Sequence, residues 1–263
     1  MTRLVVGAVH LGNESAPGIE RVRFALRLLE RAAEQGCTLA VLPELAWSNL
    51  ATLNLRGLTE AEVMIYDEAV KALRQFARHR GCCLVAPILP PAPGGGHYNG
   101  AVVIDQDGCV SGVAHKHTLP SGPGFDEAAI FVPGSGWLVA QLAQFRLGIL
   151  VCADRREPDH WRALADQGAD TVAVLMAGLG NDVAGMVLAE LRTYARLARL
   201  HAVMACRAGE DTEGGFSTAH HAESCVVTSD GSMLGPPLTT DRSDLFLATL
   251  EVVGSQPAAC ARP

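Results

Sequence analysis

The feature that most constrains this chain is a β-α-β pattern at its start. Residues 4–9 form a continuous apolar run rich in Val, after which Ile19, Val22, Leu26, Leu29 and Ala33 recur at spacings of three and four. That spacing predicts a strand followed by an amphipathic helix. Gly36 closes the helix, and 38–42 is a second apolar run that ends at Pro43-Glu44. A chain that starts this way folds into a sheet with helices packed on it.

The same grammar continues downstream. A helix is expected over 59–79, then a strand over 82–89 and a Pro/Gly-rich loop over 90–96. Runs at 99–104 and 110–114 flank Asp105-Gln-Asp-Gly108, a hairpin signal that leads directly into Lys116. Strands at 147–151 and 171–175 bracket a short helix over 159–166. The stretch 183–200 sets Val183, Val187, Leu191, Tyr194 and Leu197 on one helical face. Strands at 201–206, 224–228 and 245–250 follow, with turns at Asp230-Gly231 and Gly235-Pro-Pro237. No internal repeat or linker divides the sequence, so residues 1–263 are expected to form one α/β domain with a mixed sheet.

Composition excludes several classes of protein. With 49% hydrophobic and 19% charged residues, a disordered or collagen-like chain is ruled out. The net charge of −7, from 28 acidic against 21 basic residues, opposes a nucleic-acid partner, and no stretch concentrates Lys and Arg. No apolar run approaches the roughly 18 residues of a membrane span, and 4–9 is shorter than a signal-peptide core, so the expectation is a cytoplasmic protein without membrane contact. Eight cysteines are too few for a disulfide scaffold in 263 residues and are expected as reduced thiols, mostly buried. His115, His117 and His220-His-Ala-Glu223 could be drawn as a metal site, but no third ligand has motif spacing, and no metal or organic cofactor is expected.

Three polar residues stand at the ends of apolar strands: Glu44, Lys116 and Cys152. Active sites of α/β sheets gather at strand ends. A thiol becomes a nucleophile when a neighbouring carboxylate takes its proton, and a lysine can stabilise the anion that develops on a substrate. Composition singles out the lysine, because the 21 basic residues include only Lys71 and Lys116. A compact ammonium suits a point contact with an oxyanion better than a planar guanidinium does.

These residues resemble the carbon-nitrogen hydrolase (nitrilase) superfamily. The resemblance rests on Leu42-Pro-Glu-Leu45, on Tyr98-Asn-Gly-Ala-Val-Val-Ile-Asp105 leading to Lys116 and Leu119-Pro120, on Glu127 with Phe131, Pro133 and Gly134, and on Gly148-Ile-Leu-Val-Cys-Ala-Asp-Arg155 followed by Pro158. It implies a four-layer α-β-β-α sandwich with mixed sheets. It also implies hydrolysis of an amide, N-carbamoyl or nitrile C–N bond through a thioester, or a thioimidate from a nitrile. Glu44 would be the general base, Cys152 the nucleophile, Lys116 the oxyanion partner and Glu127 a second glutamate beside Lys116. The same resemblance points to Ala153, Arg155 and Arg156 as substrate-binding positions, with an arginine gripping a substrate carboxylate, and to a homodimer or higher homo-oligomer. A buried Glu44 is expected to have a raised pKa. The chain departs from the family pattern at His117, which stands one place early, at Ala153 where an aromatic is frequent, and around Ala198, Cys206 and Ala222. Those departures leave open a catalytically silent member that serves as a binding subunit.

Overall fold

The computed structural model describes residues 2–122, 125–178 and 185–252. Val183, placed above on a helical face, and Cys260, the last of the eight cysteines, lie outside them.

Two mixed sheets form the centre. The first has the order β13-β1-β2-β3-β4-β5, from β1 (Thr2–His10), β2 (Leu39–Val41), β3 (Cys83–Ile88), β4 (Gly100–Ile104), β5 (Val110–His115) and β13 (Asp244–Val252). The second has the order β12-β9-β8-β7-β6, from β6 (Val139–Gln141), β7 (Arg146–Val151), β8 (Thr171–Met176), β9 (His201–Cys206) and β12 (Cys225–Val227). Within each sheet three strands run parallel, β1-β2-β3 and β7-β8-β9, and the flanking strands are antiparallel.

The sheets pack face to face. Val6, Ala8, Val41, Val85 and Val103 of the first meet Ile149, Val151, Leu175, Val203 and Ala205 of the second in one buried cluster. The opposite face of the first sheet is covered by α1 (Ile19–Glu34) and α3 (Glu60–Arg80), through Val22, Leu29, Leu73 and Phe76. The outer face of the second is covered by α4 (Pro158–Asp166) and α5 (Met186–Ala198), through Trp161, Leu164, Val187 and Leu191. This is the α-β-β-α sandwich. It explains the unbroken apolar runs, because parallel strands buried on both faces have no polar side to alternate with.

Helix boundaries follow local chemistry. Thr59 and Glu62 form a capping box at the start of α3, and Gly81 at φ 64° ends it in the left-handed region. The structure adds elements that the sequence reading leaves as loop: α2 (Leu50–Arg56), the edge strand β6, and the hairpin of β10 (Glu210–Glu213) and β11 (Phe216–Ala219). The helix expected over 183–200 is observed as Met186–Ala198.

The two halves are wired alike, a duplication invisible in the residue string. In each, the helix before the third parallel strand clamps the turn that follows the antiparallel fourth strand. Arg74 Nε donates to Gly108 O at 2.8 Å and Arg192 Nε to Gly231 O at 2.9 Å. Both glycines have positive φ, 76° and 83°, and a side chain at either would run into its helix.

Candidate active site

The strand ends bring together what the sequence separates by up to 133 residues. Glu44 follows β2, Asn99 precedes β4, Lys116 follows β5, Cys152 follows β7 and Ala177 follows β8. Glu127 opens a 3-10 turn, Glu127–Ala129, on the loop between β5 and β6. Lys116 Nζ donates to Glu44 Oε1 at 2.7 Å and to Glu127 Oε2 at 2.5 Å. The three side chains are only 1%, 2% and 3% exposed. Two carboxylates and one ammonium therefore sit in a dry site where charge interactions are strong.

Asn99, buried, was missed as a site residue, although it stands in the quoted Tyr98-Asn motif. Its Nδ2 donates to Glu44 Oε1 at 2.8 Å and to Glu127 Oε1 at 2.7 Å, so one amide spans both carboxylates. Ala177 N–H donates to the remaining Glu44 oxygen, Oε2, at 2.8 Å. Backbone donors carry no side-chain signature, and nothing in the sequence marks this one.

These contacts correct the expected ionisation of Glu44. Burial alone would raise its pKa, but the Lys116 ammonium and the donors Ala177 and Asn99 outweigh burial and hold it below the ordinary carboxylate value. Glu127 goes the other way. Burial, aided by the Glu44 charge, pushes it up to about 7 against the pull of Lys116. Lys116 is held above its ordinary value, since Glu127 and Glu44 overcome its burial. The raised carboxyl is thus the second glutamate, not the first.

Cys152 occupies a turn of its own. Its φ is 46°, an uncommon conformation for a non-glycine residue, where β7 ends and the 3-10 turn Cys152–Arg156 begins. Its side chain is partly exposed, unlike the carboxylates and the lysine. Burial and the Glu44 charge push the thiol up to about 12, while Lys116 and Arg155 pull it down. The resting pair is a neutral thiol beside a carboxylate.

The expected substrate-binding positions separate. Ala153 is buried. Arg155 is 1% exposed; its Nη1 donates to Cys152 O at 3.2 Å and its Nη2 lies 3.4 Å from Glu190 Oε2 on α5. That guanidinium is engaged in holding the nucleophile's turn, which argues against the carboxylate grip. Arg156 is exposed. His115 stacks on Tyr98 with centroids 4.1 Å apart, whereas His117 packs against Trp137 and His160. His220 meets Asp211 and Ala177, and His221 meets Glu223. Among the described residues no three His, Cys, Asp or Glu side chains are grouped to hold a metal ion. No helix among them is long and apolar enough to cross a membrane.

Residues 19–258 match the carbon-nitrogen hydrolase family. The N-carbamoylputrescine amidase of Solanum tuberosum is 27% identical over 154 residues, 57% of this chain and 51% of that protein. A citrullinase of Francisella tularensis is 27% identical over 174 residues, 65% of this chain and 60% of that one. The chain's match thus spans about half the length of the potato relative. Among solved structures, an amidase from Nesterenkonia sp. AN1 in complex with acrylamide superposes with a TM-score of 0.80 at 26% identity, covering 95% of this chain and 91% of that one. With a family match over nearly its whole length and the α-β-β-α sandwich of an amidase, this chain belongs to the carbon-nitrogen hydrolase family.

Proposed function

We propose that this protein hydrolyses the C–N bond of a small amide or N-carbamoyl compound, with Cys152 as nucleophile, Glu44 as general base, and Lys116 and Glu127 completing the catalytic group. The observation that carries this reading is the Lys116 ammonium held between Glu44 and Glu127 beside the strained turn of Cys152. It is supported by the activities of the relatives, an N-carbamoylputrescine amidase and a citrullinase, and by a mutant of the Nesterenkonia amidase in which acrylamide has undergone Michael addition at the active-site cysteine.

The ionisation pattern shapes the mechanism. A thiol near 12 beside a carboxylate below its ordinary value does not ionise in the resting state. The Cys152 proton therefore passes to Glu44 as Sγ bonds to the carbonyl carbon, so that negative charge appears on the substrate oxygen rather than on sulfur. Lys116 and backbone N–H groups of the Cys152 turn stabilise that oxyanion. Collapse breaks the C–N bond, Glu44 returns the proton to the departing nitrogen, and ammonia or an amine leaves. Water, deprotonated by Glu44, then attacks the S-acyl carbon and releases the acid and the thiol. No metal or organic cofactor takes part, and neither nucleic acid nor membrane is a partner in this reading.

Arg156, exposed where Arg155 is buried, is the candidate for a substrate carboxylate. Self-association belongs to the proposal. Val187 is buried inside the subunit and Tyr194 stacks on Trp161 at 6.2 Å, so a homodimer would use the outer side of α5, where Leu197 is 73% exposed. Light scattering should give at least two chain masses at micromolar concentration, in a cytoplasmic protein.

The test is turnover of a panel of simple amides, N-carbamoyl amines, N-carbamoyl amino acids and nitriles by wild type, Cys152→Ala and Cys152→Ser. Ammonia release by wild type alone, with unchanged circular dichroism in both variants, is the expected result. Activity retained in Cys152→Ala would overturn the nucleophile, and an inert wild type would favour the silent binding subunit.

A further inference from the structure

We propose that His220 is a positioning residue for the Glu44 carboxylate, acting through the backbone of Ala177 as the near end of a buried Arg207-Asp211-His220 relay. The inference rests on Glu44 being the base.

The relay is continuous and dry. Arg207 Nη2 donates to Asp211 Oδ1 at 2.9 Å, His220 Nε2 lies 3.0 Å from Asp211 Oδ2, and His220 Nδ1 lies 2.8 Å from Ala177 O. The three side chains are buried to within 1% of completely. Leu50 N–H adds a further donor to Asp211 Oδ2 at 2.8 Å, which fixes the carboxylate from the side of α2. A carbonyl oxygen and a carboxylate both only accept, so this arrangement calls for a proton on each His220 nitrogen, Nδ1 toward Ala177 O and Nε2 toward Asp211.

The target of the relay is Ala177, whose N–H meets Glu44 while its own C=O, in the next peptide unit, meets His220. Glu44 Oε1 is held by two side-chain donors, Lys116 and Asn99, whereas Oε2 accepts from Ala177 N–H, its one donor among the described residues. The plane of the carboxylate is therefore set by where that N–H points. The segment past β8 is pinned at three successive carbonyls, Met176 O by Arg207 N–H at 3.0 Å, Ala177 O by His220 and Gly178 O by His221 N–H at 2.9 Å. Two of these contacts are backbone to backbone and survive any side-chain change. His220 is the one that a substitution can remove, and it acts on the very residue whose N–H touches the base.

Two amide substitutions separate positioning from mere support of Asp211. In His220→Asn the side-chain nitrogen falls where Nδ1 stood and can still donate to Ala177 O. In His220→Gln it falls where Nε2 stood and can still donate to Asp211. The Ala177 amide proton is followed by NMR, and kcat and KM are measured on the best substrate of the panel. Positioning predicts that His220→Gln shifts the Ala177 resonance upfield and lowers kcat about tenfold or more with KM changed less than about twofold, as expected for one lost hydrogen bond. It predicts that His220→Asn recovers most of both. The reverse order, or equal behaviour of the two variants, would overturn the proposal. Should wild type turn over nothing, the proposed function fails, while the Ala177 resonance still decides the role of His220.

Discussion

Asp154 accepts the N–H of Thr118 at 2.8 Å, so the turn that carries Cys152 is fastened to the segment that leaves Lys116. The same carboxylate receives His117 N–H at 3.1 Å and Val151 N–H at 3.4 Å. Nucleophile and ammonium come from different sheets, and this one buried side chain sets their relative position.

Asp154→Asn replaces an acceptor-only group by one that presents an NH2 to backbone donors. Leaving a buried donor unmatched costs about 1–3 kcal/mol. At about 2–4 °C per kcal/mol for a chain of this size, the melting temperature should fall by several degrees, and kcat should fall with it. Calorimetry and turnover on the same samples check this; a variant as stable and active as wild type would mean that the two loops hold their register without Asp154.

Lys116→Arg should fail despite keeping its charge. The ammonium fills a site shaped by two carboxylates 2.7 and 2.5 Å away, and a planar guanidinium cannot occupy it. Loss of one such transition-state contact costs about 3 kcal/mol, so the rate should drop at least about a hundredfold. Lys71 is the internal control, since it lies 65% exposed on α3 and pairs only with Glu68. Lys71→Arg should be silent, and equal activity of the two variants would show that Lys116 has no special role.

Glu127 makes stability depend on pH with a definite sign. Its carboxyl is raised from 4.5 to about 7 in the folded chain, first by burial. Between those values the folded state holds more protons than the unfolded one, so this group's contribution falls as pH rises from 4.5 to 7. Glu44, with a lowered folded pKa, contributes in the opposite sense: its stabilisation is present above its ordinary value and is lost as pH falls through the folded one. Glu127→Gln should therefore gain stability relative to wild type on going from pH 5 to pH 7.5. Urea denaturation at the two pH values measures the difference, and parallel behaviour of the two proteins would contradict a raised Glu127.

Much of this site was readable from residue order. Glu44, Lys116 and Cys152 each follow an apolar strand, and such runs are legible because parallel strands covered on both faces contain no polar residues. What stayed hidden has physical reasons. α2 is seven residues long, too short for periodicity to register, although Asn49 at its start and Gly57 at its end are ordinary cap signals. β10 and β11 offer no apolar alternation, since the positions they bury, Asp211 and Thr218, are polar. The ionisation of Glu44 depends first on the Lys116 ammonium and then on the Ala177 N–H just past β8, 133 residues away, and burial without those partners gives the wrong direction.

The central claim is that an acyl group passes through Cys152 sulfur. Acid-quenched mass spectrometry tests it directly: wild type is mixed with its best substrate, stopped within the first turnovers, and digested. Wild type should carry the acyl mass on the peptide that contains Cys152, and the mass should be absent from Cys152→Ala and strongly reduced in Glu44→Gln, where the thiol has lost the base that takes its proton. Turnover with no adduct on Cys152 in either protein, or an adduct on Cys206, would contradict it.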